Sequence, residues 1–88
     1  MSLSIQYSKN FEKQFKKLPE KLKQQFIDRQ SLFEQNQRDP ILRLHALRGK
    51  YQGYYSIDIT GDVRALFTRR GNTIVIFGFI GTHSQLYG

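Results

Sequence analysis

Apolar and polar residues alternate along Leu3-Ser4-Ile5-Gln6-Tyr7, the period of a half-buried strand. The period then changes. Phe11, Phe15 and Leu18 fall at i, i+4 and i+7, one face of a helix, and Lys9, Lys13, Lys16 and Lys17 take the remaining positions. Ser8 precedes this face as an N-cap candidate. Pro19 does not continue a helix comfortably but suits the first turn of a new one, and Glu20 behind it favours a helix N-terminus. Leu22, Phe26, Ile27 or Gln30, and Phe33 keep helical spacing to about Gln35. The two segments read as an αα-hairpin.

Asp39-Pro40 closes the helical part. Residues 41–50 read as a loop anchored by Ile41, Leu42, Leu44 and Leu47, with His45 inside it and Arg48-Gly49 near its end. Three strands follow. Over residues 51–59, Tyr55, Ile57 and Ile59 share one face; Tyr54, Ser56 and Asp58 share the other. Over 63–69, Val63, Ala65 and Phe67 oppose Arg64, Leu66 and Thr68. Side-chain parity constrains the hairpin between them. If Ile59 opposes Val63, the apolar faces coincide and the connection is the three-residue loop Thr60-Gly61-Asp62, a standard solution. A two-residue loop would set Asp58 against Val63. The register therefore places Asp58 across from Arg64. Arg70-Gly71-Asn72 makes the next turn, and the apolar run 73–80 reads as a buried strand.

The expected fold is α+β, in the order β-α-α-β-β-β. A helical hairpin packs on one face of a small, mostly antiparallel sheet. The other face stays partly open and carries Tyr54, Asp58 and Arg64. The last strand leads into the polar tail Gly81-Thr82-His83-Ser84-Gln85-Leu86-Tyr87-Gly88, so the strand fixes where the tail lies. If the tail forms one helical turn, His83 and Tyr87 face the same way.

Size and charge narrow the partners. Eighty-eight residues make one domain, 1–88, with a modest core. The chain has no cysteine, which removes disulfides and thiolate metal sites, and its two histidines and scattered carboxylates do not suggest structural zinc. No apolar run is long enough to span a bilayer and no signal-peptide pattern opens the chain, so a cytoplasmic protein away from membranes is expected. Fourteen Lys and Arg against seven Asp and Glu give a formal charge of +7. On so small a chain that implies a polyanionic partner: nucleic acid, the ribosome or an acidic protein. After Asp39 the only carboxylate side chains are Asp58 and Asp62, amid Arg43, Arg48, Lys50, Arg64, Arg69 and Arg70.

A basic surface with histidines points to a reaction on a phosphodiester. Cleavage of RNA through its 2′-hydroxyl needs a base for the hydroxyl proton, a cation for the charged transition state and an acid for the leaving 5′-oxygen. Histidine serves as acid or base near neutral pH, each role giving roughly 10²–10⁴ in rate. Arginine holds phosphate through its fork of donors. No metal or other cofactor is required. The candidates are His45, Asp58, Asp62, Arg64, His83 and Tyr87. Each also has a structural reading. His45 suits a surface loop, Asp58 with Arg64 a cross-strand ion pair, Asp62 a turn, His83 a strand cap, and Tyr87 a ring tucked against the sheet.

Two stretches add a resemblance. His45-Ala46-Leu47-Arg48-Gly49-Lys50-Tyr51-Gln52-Gly53-Tyr54 is similar to the His-x-Leu-(Lys/Arg)-Gly-x-(Trp/Tyr)-x-Gly-Tyr pattern of YafQ-like toxins. Those toxins are a branch of the RelE/ParE superfamily of bacterial type II toxin–antitoxin systems. Gly81–Gly88 is similar to that branch's terminal Gly-Thr-His-x-x-Leu-(Phe/Tyr)-Gly. The resemblance implies the RelE-like fold and a cytoplasmic mRNA interferase, an endoribonuclease that cuts mRNA in the ribosomal A site. It implies partnership with the 70S ribosome and neutralisation by a cognate antitoxin, operator DNA being reached only through that complex. By position, His45, Asp62, His83 and Tyr87 match residues that the branch uses in its active site. Asp58 stands where the branch has a further histidine, which removes one proton carrier. Arg64 matches a basic position common in the superfamily. On this basis His83 is a general acid or phosphate contact and His45 a base or phosphate contact. Asp62 orients a histidine, and Tyr87 stacks on an mRNA base. Arg48, Lys50 and Arg64 hold phosphate, on a surface that also carries Tyr54 and Asp58. Two other classes remain open: a toxin of the same fold that binds DNA gyrase without cleavage, and a basic nucleic-acid or ribosome-binding module.

Overall fold

The computed structural model describes residues 3–88. Strand β1 (Ser4–Tyr7) leads into helix α1 (Lys9–Lys16), α2 (Glu20–Gln35), β2 (His45–Ala46), β3 (Tyr55–Asp58), β4 (Val63–Arg70), β5 (Ile74–Thr82) and a short helix α3 (His83–Tyr87). Two 3-10 turns, Pro40–Leu42 and Gly49–Tyr51, flank β2. The sheet order is β1-β5-β4-β3-β2. β1 runs parallel to β5, and the other neighbours are antiparallel.

Local chemistry explains the helical hairpin. The Ser8 hydroxyl accepts the Phe11 N–H at 3.0 Å, capping α1. Pro19 stands just outside α2 as its N-cap rather than in its first turn. Phe11, Phe26 and Phe33 are buried with Ile57, Ala65, Phe67, Val75 and Phe77 from one sheet face. The Phe26 ring meets Phe77 edge-on at 5.3 Å and Phe33 meets Phe67 at 5.1 Å. Burying each such ring stabilises the fold by roughly 1.5–3 kcal/mol.

The β3–β4 hairpin has the expected register. Asp58 pairs with Arg64 and Ile57 with Ala65, and the Ile59 N–H donates to the Val63 carbonyl at 2.8 Å.

Three expectations need correction. The first strand of the hairpin begins at Tyr55, because residues 49–51 wind into a 3-10 turn first. The segment after Pro40 is not only loop, since His45 and Ala46 pair with Ser56 and Tyr55 as an edge strand. The second sheet face is less open than expected. Tyr51, Leu66 and Leu86 are buried there, with Leu47, Tyr54 and Phe79 packed around them, so the tail and the turn before β3 roof it. Ser56 and Asp58 are accordingly buried.

A bulge in β5 makes that second core possible. Phe67 pairs with Phe77, yet the next residue back, Leu66, pairs with Phe79. Gly78 is the extra residue. It turns Phe77 to the helix side and Phe79 to the tail side. The Ser8 hydroxyl and the Asn10 amide both donate to the Gly78 carbonyl, at 3.2 and 3.1 Å. A Cβ on Gly78 would lie 3.0 Å from the Tyr54 ring, so glycine lets that ring close over the strand.

Candidate active site

The tail leaves β5 as a capped helical turn. The Thr82 hydroxyl accepts the Gln85 N–H at 3.1 Å, and the Gln85 side-chain oxygen accepts the Thr82 N–H at 2.8 Å, a complete capping box. Gly81 makes room for it, since a Cβ there would lie 2.9 Å from that oxygen. The His83 N–H donates to the Asp62 carbonyl at 3.1 Å, fastening the turn of the β3–β4 hairpin to the start of α3. At the other end, the Tyr51 hydroxyl and the Lys50 ammonium donate to the Leu86 carbonyl at 2.7 and 3.3 Å. Leu86 itself is buried.

This anchoring leaves His83 and Tyr87 exposed on one side of α3, their ring centres 4.8 Å apart. Tyr87 also meets the Tyr51 ring edge-on at 5.3 Å. Partial burial, with Tyr51 beside it, pushes the Tyr87 phenol above its ordinary range, and the nearby Arg64 guanidinium partly offsets this. Tyr87 is therefore a neutral hydroxyl at physiological pH, able to donate a hydrogen bond or stack.

Sheet register places further groups on this face. Arg64 pairs with Gly81 on one side and Asp58 on the other, and in a sheet directly paired residues share a face. The Arg64 Nε lies 3.1 Å from Asp58 Oδ1, but off the N–H axis, so Oδ1 is buried without an aligned donor. Arg64 Nη1 donates to the Gly61 carbonyl at 3.0 Å. Asp58 Oδ2 also faces Arg43 Nη1 at 3.6 Å, a partner the sequence reading did not single out; nothing in the spacing of a loop arginine marks it.

His45 pairs with Ser56 and so shares this face at the sheet edge. Its Nδ1 donates to the Arg43 carbonyl at 2.7 Å. In the neutral ring that leaves Nε2 with its lone pair free to accept a proton. His45 borders a polar groove of about 510 Å³ together with Arg38, Tyr55, Arg69 and Asn72.

The other predicted residues separate. Asp62 is exposed, and it touches the tail through its carbonyl rather than its carboxylate. Arg48 is exposed beside the 3-10 turn. Lys50 is engaged at the Leu86 carbonyl and over the Tyr51 ring. Tyr54 packs its ring against Tyr51 and Phe79. A cavity of about 840 Å³ lies elsewhere, between α1 and α2, lined by Phe11, Phe15 and Phe26 with Lys9, Lys13 and Lys23. Among the described residues, no group of three or more histidines, aspartates or glutamates is placed to hold a metal ion.

A helical hairpin on one face of a mixed five-stranded sheet, with a short terminal helix on the other, is the fold of RelE-like toxins. YafQ from Escherichia coli superposes with a TM-score of 0.82 at 20% identity, covering 98% of this chain and 99% of that one. The toxin–antitoxin complex DinJ–YafQ from the same organism gives 0.80 at 21%, over 100% of both chains. The YoeB/ParE toxin from Agrobacterium tumefaciens gives 0.75 at 13%, over 92% and 99%. Residues 3–88 match the family described as bacterial toxin of type II toxin–antitoxin system, YafQ, and the chain belongs to that family. No curated protein sequence matches it.

Proposed function

We propose that this toxin is a ribosome-dependent mRNA endoribonuclease that works by metal-independent attack of the RNA 2′-hydroxyl. The observation that carries the reading is the pair of neighbouring rings His83 and Tyr87, tilted to each other with centres 4.8 Å apart. It is presented by a helix capped at one end and clasped at the other, on the sheet face that also bears Arg64 and His45. A base takes the 2′-hydroxyl proton, and the 2′-oxygen bonds to phosphorus. The bond from phosphorus to the 5′-oxygen breaks, and an acid protonates that oxygen. The products are a 2′,3′-cyclic phosphate and a 5′-hydroxyl. His45 Nε2 has the free lone pair of a base. His83 serves as the acid or, when protonated, as a phosphate contact. Arg64 stabilises the developing phosphate charge, and Tyr87 positions a base of the mRNA. Asp62, at the foot of α3, orients a histidine. The exposed Arg48 adds to the positive field that draws RNA.

A site this open has little with which to hold its substrate. The ribosome supplies the mRNA already positioned, a large entropic advantage. The place of action is then the cytoplasm. The DinJ–YafQ structure contains a toxin bound to its antitoxin; by likeness this chain is held in check by a cognate antitoxin, for which the +7 charge favours an acidic segment that orders on binding.

The test is induced expression in a bacterial host, with primer extension on abundant transcripts for wild type and His83→Ala. New 5′ ends inside coding regions, dependent on translation and absent in the variant, support the reading. Growth arrest without new ends, unchanged by the substitution, replaces it with a binding toxin of the gyrase-directed kind.

A further inference from the structure

Arg43 has no part in the reaction above, yet three observations single it out. First, it is the one non-glycine with positive φ among the described residues, at 46°. Glycine or asparagine is the usual occupant of that region. Arg43 closes the 3-10 turn, its N–H donating to the Pro40 carbonyl at 3.2 Å, and glycine would do the same with less strain. A long cationic side chain at such a position calls for a reason beyond the backbone. Second, Arg43 and Arg64 approach opposite oxygens of one carboxylate, at 3.6 and 3.1 Å. Third, their exposures differ: the Asp58 side chain is 12% exposed and Arg64 18%, but Arg43 is 69% exposed. The carboxylate sits behind, and most of the Arg43 donors face solvent. Two guanidinium groups against one carboxylate leave a net positive charge at the cluster.

We propose that Arg43 and Arg64, yoked by Asp58, form a clamp for the phosphate backbone of single-stranded RNA, with Arg43 as its outer arm. The clamp rests on the RNA-directed reading above and extends it from the tail toward the sheet edge. Its ligand is RNA because the cluster shares its sheet face with α3 and continues into His45, whose Nδ1 holds the Arg43 carbonyl. Asp58 is a positioning residue. Its two oxygens face one guanidinium each, so it aims donors.

The experiment measures binding of the full protein to a 2′-O-methylated single-stranded RNA, which lacks the attacking hydroxyl, over a range of salt. Arg43→Gly and Arg43→Asn both tolerate the left-handed backbone and lack the charge. Both are expected to melt within a few degrees of wild type and to bind roughly ten-fold more weakly. The plot of log K against log salt should become shallower by about 0.7, the value for one lost contact on a single strand. Arg43→Lys is expected to restore the slope but only part of the affinity, since an ammonium has no fork. Cleavage on translating ribosomes should show a raised KM at near-constant kcat for the neutral variants. If wild type cleaves and Arg43→Gly matches it in slope and KM, the clamp falls and the nuclease reading stands. If wild type binds RNA with an Arg43-dependent slope but cuts nothing, the clamp stands and the nuclease reading falls. If wild type neither binds nor cuts, both fall.

Discussion

The Tyr51 hydroxyl donates to the Leu86 carbonyl at 2.7 Å across 35 positions of sequence, so a residue next to the edge strand holds the end of the terminal helix. The bond is buried, and losing a partner of a buried hydrogen bond costs about 1–3 kcal/mol. Tyr51→Phe keeps the ring packing with Phe79 and Tyr87. It is expected to lower stability by about 1 kcal/mol, toward the small end because Lys50 still reaches the same carbonyl. Amide hydrogen exchange should rise at residues 83–88 more than in the sheet. Uniform protection across the variant would show that the helix does not depend on this clasp.

Thr82→Ala removes the hydroxyl that accepts the Gln85 N–H. Loss of such a cap typically costs ~1 kcal/mol. Here the cost falls on the short helix that carries His83 and Tyr87. RNA cleavage is expected to drop several-fold while the melting temperature moves by only a few degrees. Thr82→Ser should retain both, and kinetics on ribosome-bound mRNA would separate the three proteins.

If two histidines share the proton transfers, the rate of cleavage follows a bell-shaped curve centred near neutral pH. His45→Ala and His83→Ala should each lose roughly 10²–10⁴ in rate, and each should abolish one limb of the curve. A profile flat from pH 5 to 8 in the wild type would remove histidine acid–base catalysis from the mechanism.

Burial raises the pKa of both Tyr7 and Tyr87 above 10.0. Below pH 10 the phenols are protonated in folded and unfolded chains alike, and they add no pH dependence. Above it the unfolded chain loses its protons first. Stability therefore falls as pH rises from about 10 through the folded-state values. Melting temperatures taken from pH 8 to 11 should show this decline, and Tyr87→Phe should flatten part of it. An unchanged slope in Tyr87→Phe would mean that the Tyr87 ring is solvated as in the unfolded chain.

Much of the fold was legible because periodicity and parity are strict. The Phe11–Phe15–Leu18 spacing gave α1, Ser8 gave its cap, and face matching between Ile59 and Val63 gave a register that extends to the Asp58–Arg64 pair. The shared side of His83 and Tyr87 followed on the condition that the tail forms a helical turn, which α3 supplies. What stayed hidden depends on distant contacts. The two-residue strand at His45 exists only because β3 lies beside it. The bulge at Gly78 reverses the parity of an apolar run that carries no alternation to reveal it. The packing of Tyr54 against Phe79 depends on a strand distant in sequence, and the Arg43–Asp58 contact depends on a left-handed residue that no local pattern marks. The candidate residues could therefore be named as types, and the second core that positions them could not.

β5 is hydrogen-bonded to β1 on one side and β4 on the other, yet it follows every other strand in the chain. During synthesis, the N-terminal strand and the β3–β4 hairpin emerge with no neighbour that joins them. The helical hairpin likewise has no Phe77 to close on. Contacts of such long sequence separation form late and slowly. The strand that completes the core also carries His83 and Tyr87 into place, so assembly of the sheet and arming of the toxin are one event. A chain released before Ile74 would have neither.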